Sequence, residues 1–391
     1  MHGAIAATGP GVLINDIDGL ILLTRPDPAV NDTITVKIPD LFISIVGEPR
    51  QLNPNLTETM ATDAWSCKVL NLDEKMTKEW VEMKFPLLCA SMVPDASFQP
   101  LQAFTEWVSW SIPFDDRVDG GDLANDLLGA SEEMIESLAI MDDDYPDIAP
   151  EENGVRYMFQ TLWKRVSKYA PPDERRRHIR LNRSYMTGLL HQVKFLNIKD
   201  RALTVDEYLA FRRPSSGMGP TCIFAEWSVT EKHKIPCEVV EHPSVEIFRD
   251  LVIDIVSIAN DIYSSPKDIP NSEGANIISV LLRQGKTLQE AIDEAGQLVL
   301  DRYKVWEQAE RDLPSWGEEI DAVVRKLVKA YSDVCWGNMN WSFITSRYMG
   351  AEKEQARTTG ILTFSKADVI RTAQIPRSSP AQPPTVPTEK K

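Results

Sequence analysis

Apolar residues recur at three- and four-residue steps through most of this 391-residue chain, and that periodicity constrains the fold more than any other feature. Stretches such as "PLQAFTEWVSWSIPF", "RYMFQTLWKRV", "SYMTGLLHQVKFL", "FRDLVIDIVSIANDIY" and "TLQEAIDEAGQLVLDRYKVW" each carry a stripe wide enough to bury one helix face. Strict strand-like alternation is rare, so the chain reads as all-α. A last long helix is predicted over "EIDAVVRKLVKAYSDVCWGNMNWSFITSRY". Breaks containing Pro and Gly, among them "DYPDIAPEENG", "APPDE" and "RRPSSGMGP", separate the helices. No repeat and no shift in composition marks a second domain, so one helical domain is expected over residues 36–370. Residues 1–35 are irregular in pattern, and the Pro- and Ser-rich end 371–391 has no large aromatic residue; both read as tails.

With 43% apolar residues and 10 Trp, the chain can bury a large core. Its net charge of −16 argues against nucleic acid as a partner, because tracking a phosphate backbone needs clustered Lys and Arg. An acidic protein that holds an anionic substrate needs metal ions or a few placed cations to reverse the local field. The cysteines Cys67, Cys89, Cys222, Cys237 and Cys335 are scattered and never form a CxxC pair, which excludes a zinc knuckle and points to a reducing compartment. The apolar stretch "GVLINDIDGLILL" is interrupted by Asp16 and Asp18, and no window approaches the roughly 18 to 20 apolar residues of a membrane span. A cytoplasmic protein with no stable membrane insertion is expected. No HExxH pair, triad signature, GxGxxG or Walker-type loop is present, so no nucleotide cofactor is indicated.

Two constellations carry chemistry. "SIPFDDRVDGGD" places Asp115, Asp116 and Asp119 behind an aromatic run in which Trp107, Trp110 and Phe114 recur at helical steps, with Pro113 predicting a kink. Successive helical residues turn about 100°, so Asp115 and Asp119 share a face with Asp116 beside Asp119. Mg²⁺ typically takes one or two such carboxylates and completes its shell with water and substrate phosphate oxygens. The pattern alone leaves a solvated helix end and a metal site both open, because the chain has 58 acidic residues and a second copy, Asp143, Asp144 and Asp147. Pro146 and Pro150 place that copy in a loop, where solvated surface is the expectation. The second constellation, "VSIANDIYSSPKD", sets Asn260, Ser264 and Asp268 at four-residue steps on one helix stripe. An amide carbonyl, a hydroxyl and a carboxylate suit a small hard cation; an ordinarily capped helix end is the alternative.

These residues together resemble the class I terpene synthases, the ionisation-initiated cyclases, and in particular the single-domain fungal sesquiterpene cyclases. The resemblance spans roughly residues 38 to 350. Asp115, Asp116 and Asp119 match the aspartate-rich motif, and Asn260, Ser264 and Asp268 match the second metal motif, with Asp268 where Glu is more usual. Arg213 lies 47 residues before Asn260, about where the family keeps a pyrophosphate-sensing arginine, with Ser216 and Gly217 in the linker and effector positions. Arg347 and Tyr348 match a late pyrophosphate-binding pair. Segments such as "IPDLFISI", "LNPN", "ASMVPDA", "NGVRYMFQ" and "GNMNWSF" look most like presilphiperfolanol synthases and related tricyclic cyclases.

The resemblance implies a helical bundle with a central cavity, Mg²⁺ at three ions per site, and farnesyl diphosphate as substrate, with a homodimer among the family's assemblies. Lys267, Arg213, Arg347 and Tyr348 would supply charge and a phenolic donor to the diphosphate. Trp110, Phe114, Phe211 and Trp341 are candidates to face the carbocation through their rings, with plain core packing as the alternative for each. Pro266 falls inside the second motif, where the helix is expected to kink or end. A chain-elongating prenyl diphosphate synthase would carry a second DDxxD where this chain has Asn260, Ser264 and Asp268; a non-catalytic helical binding protein is the remaining alternative.

Overall fold

The computed structural model describes residues 32–142, 144–196, 202–271 and 274–374, and the backbone of a short antiparallel pair, Ile14–Asn15 with Ile21–Leu22; at Asp119, Phe195 and Leu196 the description is of backbone alone. The C-terminal residues 375–391, expected as a tail, lie outside the described residues, as does most of 1–31. Helices dominate what is described. Those that build the centre are α1 Phe98–Asp119, α2 Pro172–Leu196, α3 Val205–Ser215, α4 Met218–Thr230, α5 Pro243–Asn271, α6 Ile277–Arg283, α7 Leu288–Arg311 and α8 Glu318–Ser342.

Helix α4, "MGPTCIFAEWSVT", is apolar on nearly every side, and every residue from Met218 to Val229 is buried. A helix without a polar face has to sit in the middle of a bundle. Around it stand α1, α2, α5 and α8. Helices α3 and α7 start at capping boxes, Thr204 with Glu207 and Thr287 with Glu290, in which hydroxyl and carboxylate satisfy each other's first-turn amides. The five cysteines are free, all but the half-buried Cys237 being buried. Among the described residues no helix is long and apolar enough to cross a membrane.

Four local expectations change. Strand β1, Thr33–Lys37, pairs antiparallel with β2, Ile361–Ser365, so Thr33, Ile34 and Thr35 belong to structure rather than to the tail read over 1–35. At the other end a helix Lys366–Ala373 runs past residue 370, and its buried Thr372 donates to the Ile269 carbonyl at 2.9 Å. Five-residue strands paired across more than 300 residues leave no periodicity long enough to read locally. Helix α5 does not end at Pro266 but continues to Asn271. The hydroxyl of Ser265 donates to the Ile262 carbonyl at 2.7 Å, replacing the amide that proline lacks. Helix α8 stops at Ser342, so Arg347 and Tyr348 stand on the turns that follow it rather than on the predicted helix.

Candidate active site

A cavity open to solvent lies between α1, α2, α5, α8 and the α3–α4 junction. On α1 its lining residues are Phe104, Trp107, Val108, Ser111, Ile112 and Asp115, a stripe at three- and four-residue steps that changes from apolar wall to carboxylate at its last turn. Asp115 accepts from the Tyr185 hydroxyl at 3.3 Å. Its pKa is raised to about 6, because burial, with the Asp116 charge, pushes it up by more than the Arg212 and Arg347 charges and the Tyr185 hydrogen bond pull it down. Asp116 is exposed and takes both guanidinium nitrogens of Arg347, at 2.6 and 3.3 Å. Asp119 ends α1, and its side chain lies outside the described residues.

Across the mouth, α5 presents Asn260, Ser264, Lys267 and Asp268 to the same cavity. The four-residue spacing survives Pro266, and Asp268, 6% exposed, lines the cavity with the other two. Ser264 donates to the Asp268 carboxylate. Asn276, which no sequence pattern singled out, holds this set from behind. Its side-chain amide donates to Asp268 at 2.8 Å, to the Asp261 carbonyl at 2.9 Å and to Ser264 at 3.4 Å, while its carbonyl caps α6. The glycine of "GAN" just after the motif was the one available signal. Asn260 donates to the Tyr348 hydroxyl at 2.8 Å, tying α5 to the turn that carries Arg347.

The arginine expected at the site was Arg213, and the structure corrects this to Arg212. Pro214 does not end the helix, and α3 continues to Ser215. Gly188 of α2 lets the two helices meet there: a Cβ at that position would stand 2.6 Å from the Pro214 carbonyl carbon. Neighbouring helical residues point about 100° apart, so the two arginines diverge. Arg212 lines the cavity and reaches Asp261 at 3.1 Å and Asn260 at 3.4 Å. Arg213 turns to Asp254, at 2.6 and 2.9 Å, which also pairs with Arg302. Buried Asp261 holds Arg212 in place by accepting also from Tyr208 and from the Ile277 amide at 3.0 Å.

Ser216 and Gly217 line the cavity at the α3–α4 break as expected from the motif order. Gly217 has a φ of 72°, and a Cβ there would stand 2.9 Å from the Trp107 ring, so both the turn and the wall need glycine. Its carbonyl is not free toward the cavity's interior, since the Thr221 hydroxyl and amide donate to it at 3.0 and 3.2 Å.

Of the four ring candidates only Trp341 lines the cavity, beside Tyr348 at 5.5 Å between ring centres. Trp110, Phe114 and Phe211 are core residues: Trp110 packs on Phe114 at 4.8 Å and Phe159 at 4.3 Å, and Phe211 on Tyr208 at 5.2 Å. The cavity rings on α1 and α2 are Phe104, Trp107 and Tyr185. Counting back from Asp115 in steps of three and four reaches Ile112, Val108 and Phe104; Trp110 and Phe114 are off that phase. The second aspartate copy is as read: Asp144 and Asp147 are exposed and Asp147 pairs with Lys164 at 2.7 Å, while Asp143 lies outside the described residues.

Among the described residues no three Asp, Glu, His or Cys side chains come together as a closed metal cage. The oxygens lining the cavity come from two helices instead, the Asp115 carboxylate from α1 and an amide, a hydroxyl and a carboxylate from α5. Such an open, all-oxygen set fits hard divalent ions that keep water and phosphate oxygens in their shell.

Residues 106–305 match the family model described as terpene synthase family 2, C-terminal metal binding. Silphinene synthase from Penicillium patulum is 35% identical over 333 residues, covering 83% of this chain and 88% of its own. Terpene cyclase 4 from Gibberella fujikuroi is 33% identical over 331 residues, covering 84% of this chain and 89% of its own. Among solved structures, wild-type cucumene synthase superposes with a TM-score of 0.63 at 19% identity, covering 75% of this chain and 98% of that one. With the motif-bearing cavity, the matched metal-binding domain and relatives of this extent, the chain belongs to the class I terpene synthases and is a divalent-metal-dependent terpene cyclase.

Proposed function

We propose that this protein is a sesquiterpene synthase that takes farnesyl diphosphate, ionises it at the cavity mouth and cyclises the resulting cation within the cavity. The observation that carries the reading is the polarity of one cavity: oxygen donors and the cations Arg212, Lys267 and Arg347 at its mouth, and a wall of Phe104, Trp107, Val108 and Trp341 below. The roles assigned here to individual side chains are part of the proposal.

Arg212, Lys267 and Arg347 would neutralise diphosphate oxygens through charge-assisted hydrogen bonds, and Tyr348 would add a phenolic donor. Asp115, Asp116, Asn260, Ser264 and Asp268, with Asp119 by the motif, would hold Mg²⁺, three ions by family resemblance, whose chemistry when bound would be Lewis-acid neutralisation of the diphosphate charge. Asp116 and Arg347 occupy each other across the mouth; an incoming diphosphate would draw Arg347 to itself and leave Asp116 to the metal. Below the mouth the walls exclude water, and the faces of Trp107, Phe104 and Trp341 would stabilise migrating positive charge without acting as nucleophiles. Ser216 and Gly217 would couple the movement of Arg212 to the wall, because Gly217 lies directly against Trp107.

The test is incubation of the purified protein with farnesyl diphosphate, with Mg²⁺ or with EDTA, followed by gas chromatography and mass detection of the extract. A Mg²⁺-dependent cyclic C15 product is expected. Absence of any product from the C10, C15 and C20 diphosphates by folded protein overturns the reading. Linear elongation products in the presence of isopentenyl diphosphate would replace it with chain elongation.

A further inference from the structure

Asn276 is fully buried and does not line the cavity, yet its side chain joins Asp261, Ser264 and Asp268 on the helix of the second motif. Its carbonyl oxygen accepts from the Ile278 amide at 2.8 Å, which turns the side-chain nitrogen toward α5. From there Nδ2 donates to Asp268 Oδ2 at 2.8 Å and to the Asp261 main-chain carbonyl at 2.9 Å, with Ser264 Oγ at 3.4 Å. Asp261 precedes Pro266 and Asp268 follows it. One side chain therefore braces the helix on both sides of the residue that removes an amide from it.

The two oxygens of Asp268 are used differently. Oδ2 accepts from both Asn276 Nδ2 and Ser264 Oγ, which occupies its two lone pairs. Oδ1 lies 3.7 Å from Lys267 Nζ, beyond hydrogen-bond distance. The Ser264 proton is directed at Asp268, so a lone pair of its oxygen is what a cation would meet.

We infer that Asn276 is a positioning residue for the second metal set: it fixes Asp268 Oδ2 and, through it, the Ser264 hydroxyl, so that Asp268 Oδ1 and a Ser264 lone pair are presented to the ion. The inference rests on the reading above that Ser264 and Asp268 hold Mg²⁺. Without Asn276 the Asp268 carboxylate can rotate about its last bond and exchange its two oxygens, and the pair is no longer preset. Removing a group that orients a metal ligand in this way typically costs about 10- to 100-fold in metal affinity.

The experiment titrates Mg²⁺ onto the full chain and onto Asn276→Ser in the presence of inorganic diphosphate, and reads the thermal unfolding midpoint without turnover. Serine can still cap the Ile278 amide but is too short to reach Asp268 as the asparagine does. The Mg²⁺ concentration that gives half the rise in midpoint is expected to increase about 10- to 100-fold in the variant. In turnover of farnesyl diphosphate the half-saturating Mg²⁺ should shift likewise, with the rate at saturating Mg²⁺ within about threefold of the parent. If the serine variant does not fold, Asn276→Thr keeps the capping hydroxyl and carries the same expectation. A variant with a lower midpoint but the parent's Mg²⁺ titration would make Asn276 a helix cap alone and overturn the inference. A parent midpoint that Mg²⁺ and diphosphate leave unmoved overturns it too. Absence of C15 product from the parent overturns the cyclase reading instead, because the titration reads the metal site without turnover.

Discussion

The mouth of the cavity and the opposite end of the same helices treat buried charge in contrary ways. Glu226 on α4 accepts from Arg177 at 2.8 Å, Arg249 at 3.2 Å and the Tyr331 hydroxyl at 2.7 Å, while Arg177 also holds Glu174 at 2.7 Å and Arg249 also holds Glu246. None of the three that meet Glu226 lines the cavity. Arg249 and Tyr331 lie eleven and ten residues below Asn260 and Trp341, about 15 Å along their helices. Burial pulls the Arg249 guanidinium down, but the surrounding groups, Glu226 first, together outweigh it and the net shift is upward. That network is closed, with every charge answered inside the protein. At the mouth Asp115, Arg212, Lys267 and Asp268 line open space, and burial, only partly offset by the Arg212 and Arg347 charges, leaves Asp115 raised to about 6. A closed network fixes helix positions; an open one keeps binding capacity in reserve.

The largest expected effect tests the open end. Asp115→Asn should lower Mg²⁺-dependent turnover by about a thousandfold, as for loss of a group acting on developing charge. Its unfolding midpoint should stay the same or rise, since a charge that burial disfavours is gone. Asp144→Asn in the second copy should change turnover by less than about twofold. Equal losses in the two variants would erase the distinction between cavity and loop.

Next comes the closed end. Glu226→Ala leaves two buried guanidiniums and a phenol short of an acceptor, though Glu174 and Glu246 remain beside the arginines. Urea denaturation should show a loss of about 3 kcal/mol, the low end for breaking a buried pair. A variant as stable as the parent would mean that the network does not hold the bundle.

The paired arginines give a smaller contrast. Arg212→Gln should cost about a hundredfold in turnover. Arg213→Gln removes a half-exposed pair with Asp254 and should leave turnover within about twofold. The reverse order would return the diphosphate role to Arg213.

The last contrast is a slope. His178 is buried against Phe224 at 4.7 Å, and burial, with the Arg177 charge, lowers its pKa to about 3 from 6.5. The unfolded chain therefore binds the extra proton between those values, and stability contributed by neutral His178 is full above pH 6.5 and lost as pH falls toward 3. Buried Asp115 and Asp261, raised to about 6, act in the opposite direction in that range. The difference between parent and His178→Asn cancels their share, and should decline by about 1.4 kcal/mol per pH unit below 6.5. A flat difference would mean that His178 already carries its proton in the folded state.

Much of this was written in the chain itself. Helical periodicity gave the all-α bundle, and four-residue spacing gave the stripe Asn260, Ser264 and Asp268, because both follow from the turn per residue of a single helix. The loop around Pro146 and Pro150 separated one aspartate cluster from the other for the same local reason. What lay beyond reach depended on phase between elements. Whether Arg212 or Arg213 faces the cavity turns on α3 surviving Pro214, which the close approach of Gly188 from α2 permits. Which rings are wall and which are core was set by how α1 is rotated against α2 and α4, a rotation that any apolar stripe allows over several residues. Asn276 meets Asp268 only because the chain folds back after α5. The sequence by itself determined which residues could share a helix face, since that geometry is internal to one helix. Which of those faces meet across a cavity was decided by the tertiary structure, since it depends on packing between helices far apart in the chain.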